Sequence, residues 1–111
     1  MSTLAQLQTA QCQAQVIALD EAAIRERLAL LPAWRREGQR IVRDFDFRNY
    51  FRTMAFVNAL AYIAHTQDHH PELVVTYSRC TVKFDTHSVQ GLSENDFICA
   101  ARVDLLAAQG I

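Results

Sequence analysis

The chain has 111 residues, half of them hydrophobic, which is one domain's worth and enough for an apolar core without metal or disulfide staples. Eleven Lys and Arg against twelve Asp and Glu leave a net charge of −1, so no global field draws the protein to nucleic acid or to a membrane surface. Cys12, Cys80 and Cys99 are odd in number, far apart and without a C-x-x-C pair, which argues against a disulfide framework or a structural zinc site and fits a reducing, cytoplasmic compartment. No basic segment leads into an apolar run at the N-terminus, and the longest apolar run is too short and alanine-rich to cross a bilayer.

In chain order, residues 1–16 are rich in Gln, Thr and Ala without sustained periodicity, and read as a loosely ordered arm ahead of a single domain over 17–111. Asp20 caps a predicted helix over 21–31, with Ile24, Leu28 and Leu31 on one face and Pro32 closing it. Segments 33–37 and 39–47 flank Gly38 and suggest a hairpin. In its second arm Ile41, Phe45 and Phe47 share one face, opposite Asp44 and Asp46. Six arginines (Arg35, Arg36, Arg40, Arg43, Arg48, Arg52) crowd this region, interleaved with Glu37, Asp44 and Asp46, and read as a solvated mixed-charge surface.

Asn49 caps a predicted long helix reaching 67, and Pro71 is expected to end it. Its middle, Met54 to Ala64, is apolar almost all round, so it should be covered on more than one side, in so small a protein by a second copy of the chain. Two further strands are predicted over 73–77 and 80–85, the second with Cys80, Val82 and Phe84 facing the core. Ser93 with Asp96 three residues on forms a capping-box pattern that opens a helix over 94–108, expected to bury Phe97, Ile98, Ala101 and Leu105. The order αββαββα describes an α+β domain, a four-stranded antiparallel sheet with helices packed on one face.

All four histidines, His65, His69, His70 and His87, fall between residues 65 and 87, and histidine exchanges a proton near neutral pH. His69 and His70 stand where the helix gives way to a strand, and His87 lies past the end of the neighbouring strand. Pairing of those strands would bring both ends to one pocket, where Asp96 could orient His87 by accepting its ring N–H. A metal site is an alternative, since His65 and His69 are four apart as in H-E-x-x-H. Thr66 replaces that motif's glutamate, however, and no cysteine sits at a useful spacing. A plainer account covers His65 or His69 as a helix C-terminal residue and Asp96 as a capping partner, but it does not explain an adjacent pair with a third histidine.

The spaced string His69-His70-Pro71, Tyr77, His87, Asp96 resembles the signature of the pterin-4a-carbinolamine dehydratases. The words Asp68-His69-His70-Pro71-Glu72, Thr86-His87-Ser88 and Gly91-Leu92-Ser93-Glu94-Asn95-Asp96 resemble that family too, as does the stretch from Phe45 to Phe51; the likeness spans about residues 19–108. The resemblance implies dehydration of 4a-hydroxytetrahydrobiopterin to quinonoid dihydropterin, recycling the tetrahydrobiopterin of an aromatic amino acid hydroxylase. It implies no metal or organic cofactor, the pterin being the substrate. By position, His69 and His87 would be the acid/base pair, His70 would hold substrate and share proton traffic, and Asp96 would assist. Asp68, Asp85, Thr86 and Ser88 would flank the pterin beside the histidines. Three positions depart from the family pattern: His65 where many members are acidic, Leu73 where several have tryptophan, and Asp85 where others carry a small hydroxyl residue. Some relatives also serve as dimerisation cofactors that bind a transcription factor's helix, which is the alternative function.

Overall fold

The computed structural model describes residues 3–110. Among these, four helices, α1 (Leu4–Thr9), α2 (Glu21–Leu30), α3 (Tyr50–Gln67) and α4 (Glu94–Ala108), accompany four strands, β1 (Arg35–Glu37), β2 (Arg40–Asp46), β3 (Glu72–Val75) and β4 (Arg79–Phe84). A 3-10 turn spans His87–Val89. The strands form one antiparallel sheet in the order β1-β2-β4-β3, so the expected α+β class with a four-stranded antiparallel sheet is the observed one.

Local chemistry sets the element boundaries. Asp20 and Asn49 accept the N–H groups of Ala23 (2.8 Å) and Arg52 (2.9 Å), satisfying donors that the first helical turn leaves unpaired. Gly38, with φ +62°, opens the two-residue loop between Glu37 and Arg40, a tight hairpin that favours glycine at a positive φ. Alternation along the strands then sorts the two faces. Ile41 and Phe45 of β2 and Cys80, Val82 and Phe84 of β4 join one core with Phe56 and Leu60 of α3 and Phe97 and Ile98 of α4. The other face is polar: Thr81 donates to Asp44 (2.6 Å), Arg40 pairs with Glu72 (2.7 Å) and Asp85 (3.1 Å), and Arg79 pairs with Asp46 (2.7 Å). Such exposed pairs add little stability, so the core holds the fold.

Several expectations need correction. Residues 1–16 are not a loose arm throughout: Thr3 caps α1, which packs on α4 and buries Leu7 in the core. The apolar periodicity was too short to show in sequence, and a single leucine does the docking. Helix α3 ends at Gln67, before Pro71 can act, because Asp68 turns left-handed with φ 50° and ψ 44°. One stripe of α3 is buried, Thr53, Phe56, Leu60, Ala64 and Gln67, whereas Tyr62 is exposed; the single chain covers one side of the helix. Leu105 is exposed rather than buried: it follows Ile98 and Ala101 along the same stripe but lies beyond the last buried residue of α4, Val103.

Leu7→Ala tests whether α1 belongs to the cooperative core. Truncating a buried leucine costs about 2–5 kcal/mol, and the lower end is expected for a helix this short. Urea unfolding of the two proteins measures it; a difference below about 0.5 kcal/mol, the range of ordinary surface substitutions, would detach α1 from the core.

Candidate active site

The end of α3 aims His69 into the protein. Asp68 in the left-handed region lets its own N–H reach the His65 carbonyl (3.2 Å) while the His69 N–H reaches back to Ala64 (3.1 Å). These are the two bonds of a Schellman ending, which satisfies the last carbonyls and reverses the chain. A left-handed non-glycine residue is strained, and such residues persist where the surrounding structure demands them. The His69 ring then lies flat on Phe84 of β4, with centroids 6.0 Å apart and planes within 9°.

Asp96, fully buried, receives that ring. Its Oδ1 lies 2.6 Å from His69 Nε2, and its Oδ2 accepts the Thr86 hydroxyl (2.7 Å) and the Ser93 N–H (2.9 Å). The last bond is half of the capping box that starts α4, so helix capping and histidine orientation share one carboxylate. Thr86 Oγ1 also lies 2.7 Å from Ser93 Oγ, which closes the network. With a carboxylate as acceptor, Nε2 carries the proton and Nδ1 is the nitrogen that can exchange one.

Strand register brings the second histidine near. Glu72 of β3 pairs with Lys83 of β4, so the chain entering β3 at His69–His70 runs beside the chain leaving β4 at Asp85–Thr86–His87. The strands thus pair as expected, and both ends reach the same edge of the sheet. Beyond Thr86 a short loop is pinned at its base by the bridge to Gly91: Thr86 N–H to Gly91 O is 2.8 Å. His87 begins the 3-10 turn on that loop, and Gln90 closes the turn with φ 53°. His70, His87, Ser88 and Asp68 are exposed around this edge.

Other expected residues sit elsewhere or differently. Asp96 orients His69, not His87, because the α4 N-terminus abuts the end of α3. The Asp85 carboxylate pairs with Arg40 on the polar face and acts on His69 only through its charge. His65 is an exposed helix residue, and Tyr77 stacks on Tyr50 at 6.3 Å. Thr86 is buried and serves as a support for Asp96. Phe84 beneath His69 and Ser93 beside Thr86 were not singled out as site residues, although β4 alternation and the capping pattern marked their positions. Among the described residues, no group of three or more His, Cys, Asp and Glu side chains is arranged to hold a metal ion. A concavity of about 650 Å³ between α1 and α2 carries no histidine, and its Arg27 and Glu94 already pair with each other.

Two opposed effects act on His69. Burial pushes its pKa down, but the hydrogen bond and negative charge of Asp96 push it up and win, with smaller help from Cys12 and Asp85. The ring therefore holds its proton to higher pH than an ordinary histidine. A histidine with one nitrogen fixed on a buried carboxylate and a raised pKa is equipped to deliver a proton to a departing oxygen.

Comparison with known proteins places this arrangement. Residues 17–106 match the family described as "Pterin 4 alpha carbinolamine dehydratase". A protein of Bdellovibrio bacteriovorus named "Putative pterin-4-alpha-carbinolamine dehydratase" is 55% identical over 94 residues, covering 81% of this chain and 78% of its own. One of Nitrosospira multiformis with the same name is 46% identical over 103 residues, covering 93% and 91%. The crystal structure of a "transcriptional coactivator/pterin dehydratase" from Brucella melitensis is similar at TM-score 0.78 and 32% identity, covering 81% of this chain and 98% of that one. A "pterin dehydratase-like protein" described as a RuBisCO assembly factor is similar at TM-score 0.59 and 29% identity, over 68% and 89%. The fold, the residues matched and the relatives agree: the chain belongs to the pterin-4a-carbinolamine dehydratase family.

Proposed function

We propose that this protein is an active hydro-lyase that removes water from 4a-hydroxytetrahydrobiopterin, giving quinonoid dihydropterin for the tetrahydrobiopterin cycle of an aromatic amino acid hydroxylase. The observation that carries the reading is His69 held on the buried Asp96, on a chain that belongs to the family. Hydroxide is a poor leaving group, so the 4a-oxygen must be protonated as it departs, and a ring nitrogen must lose a proton in compensation. His69, with its raised pKa, supplies the first proton through Nδ1. His87, exposed on the pinned loop, takes the second; His70 holds the pterin and shares the proton traffic. Asp96 positions and charges His69 rather than touching substrate. Asp68, Asp85, Thr86 and Ser88 line the approach by position in the chain, Thr86 and Asp85 through backbone rather than side chain, since both side chains are engaged. On this reading the reaction needs no metal or organic cofactor and takes place in the cytoplasm.

The same reading includes self-association, as a dimer or tetramer. The exposed side of α3 carries Phe51 (77% exposed) and Tyr62 (71% exposed), apolar surface that a second copy would cover. A second reading, a dimerisation cofactor that binds a partner's helix, is favoured by that surface and by the names of the two structural relatives.

Five measurements decide among these. Purified protein should accelerate loss of the 4a-hydroxyl adduct followed by ultraviolet absorbance, and His69→Ala should lower kcat about 10²–10⁴-fold, the usual worth of a positioned acid. Equal rates for wild type, mutant and buffer would end the enzymatic reading. Asp96→Asn removes the two largest influences that raise the His69 pKa and leaves burial, which lowers it, opposed only by the smaller effects of Cys12 and Asp85. A proton donor acts below its pKa, so the alkaline limb of the kcat profile should move to lower pH; an unmoved limb would take His69 out of the role of acid. Stability follows the same sign. The His69–Asp96 contribution is full below the unfolded histidine value, about 6.5, and is lost as pH rises through the raised folded value, so wild type should lose its advantage over Asp96→Asn across that window. Finally, Tyr62→Glu should shift sedimentation to a smaller species with dehydration retained. Capture of a regulator by both wild type and His69→Ala would favour the second reading, and recovery of homo-oligomers alone would count against it.

A further inference from the structure

Residues 10–13 form a strap across the two helix ends that carry His69 and Asp96. Cys12 N–H donates to the Gln67 side chain (2.9 Å), and Gln67 returns a bond to the Gln11 side chain (3.0 Å). Gln13 exchanges two bonds with the Asn95 side chain, N–H to Oδ1 (3.0 Å) and Nδ2 to O (2.8 Å), while Arg102 donates to the Ala10 carbonyl. Gln67 and Asn95 are buried, and each lies within two residues of a member of the His69–Asp96 pair. At the centre of the strap the Cys12 thiol lies 3.5 Å from the Cys99 thiol, which projects from α4 one turn beyond Asp96. Eighty-seven residues of chain separate these two sulfurs.

We infer that Cys12 and Cys99 are a redox-active thiol pair, oxidised by a hydroperoxide to an intramolecular disulfide that fastens the strap to α4 beside His69 and Asp96. The sulfurs need to close from 3.5 Å to about 2.05 Å. Cys12 can make that shift because its segment is neither helix nor strand. The two thiols are unlike, which sets their roles. The hydrogen bond with Cys99 lowers the Cys12 pKa, aided by the charges of His69 and Arg102, against the opposing effects of burial and the Asp96 charge. The bond to Cys12 and burial raise that of Cys99. Cys12, partly exposed, is therefore the sulfur that meets the oxidant, and Cys99, fully buried, is the one that resolves it.

The chemistry balances with peroxide as the only co-reactant. The Cys12 thiolate attacks the O–O bond, taking one oxygen as sulfenic acid and releasing the other as hydroxide, which is protonated to water. Cys99 sulfur then attacks the sulfenic sulfur; the S–S bond forms, the S–O bond breaks, and the hydroxide leaves with the Cys99 proton as a second water. Two thiols lose two electrons and one peroxide accepts them. A dithiol reductant returns both thiols by exchange. Cys80, buried in β4 with its pKa pushed up to about 11, serves as the internal control. None of this depends on the dehydratase reading.

The test uses the reduced full-length chain exposed to hydrogen peroxide, alkylated with iodoacetamide and mapped as peptides without reduction. Before oxidation all three cysteines should alkylate under denaturing conditions. Afterwards only Cys80 should, alongside a cross-linked Cys12–Cys99 peptide that dithiothreitol abolishes. Oxidised protein should also melt at a higher temperature, a gain lost on reduction. In Cys99→Ala the cross-link should vanish and Cys12 should proceed to sulfinic acid. Three alkylated cysteines after peroxide, cross-links only between chains, or sulfinic Cys12 with alkylated Cys99 in the wild type would each overturn the pair.

Discussion

A carboxylate without solvent must find donors inside the protein, because burying a charge unpaired costs several kcal/mol. Asp96 finds them in three separate parts of the chain: the ring of His69 after α3, the hydroxyl of Thr86 after β4, and the N–H of Ser93 before α4. Each donor fixes the approach of the element that carries it. The first turn of α4 adds its own field, since the positive end of the helix dipole favours a negative group there. Removal of any one donor leaves a buried lone pair unsatisfied, so the three elements are bound to a common position by one side chain. The site is in this sense a consequence of how α4 begins.

The two histidines of the proposed acid/base pair are held by different means, and the difference suits different tasks. His69 is locked from three sides, by the left-handed Asp68 behind it, Phe84 beneath it and Asp96 at its edge. His87 rides on a loop whose ends are joined at Thr86 and Gly91 but whose tip is open to solvent. A rigid, charged donor beside an adaptable, solvated acceptor fits a reaction that gives one proton to a departing oxygen and takes one back from the ring, so that only water is released. Thr86 links the two, being the base of one loop and a support of the carboxylate that orients the other ring.

The same fold supports proteins whose names refer to transcription and to enzyme assembly, which is the ordinary behaviour of a scaffold whose function resides in its sites. In this chain the histidines gather at the end of α3 and beyond β4, whereas Phe51 and Tyr62 are exposed along α3 itself. The strap over Gln67 and Asn95 gives the N-terminal segment a part in the site's architecture as well. It is tied to the last residue of α3 and the second of α4 by side-chain amides rather than by packing, with Leu7 as its one deep apolar anchor.

Period and caps made most of the elements legible in one dimension. The alternation of Cys80, Val82 and Phe84 sorted the faces of β4, Asp20, Asn49 and Ser93 marked three helix starts, and the spaced histidines named the candidate site and the family. Those signals are local, and local chemistry generates them: a strand repeats every two residues, and a cap needs its oxygen within a turn of the donor. Partner choice was not legible. Asp96, which could by position serve His87, is delivered to His69, 27 residues away in the chain, by the packing of α4 against α3. Helix α3 ends at Gln67, the expected place, but the left-handed Asp68 ends it rather than Pro71, and a left-handed aspartate leaves no strong compositional mark. Leu7 docking and the meeting of Cys12 with Cys99 join residues far apart in the chain, and no periodicity encodes such distances. What the sequence alone determined was which elements form and which residue types bear the chemistry; the tertiary structure decided which of them touch, because contacts across a core depend on how whole helices and strands pack.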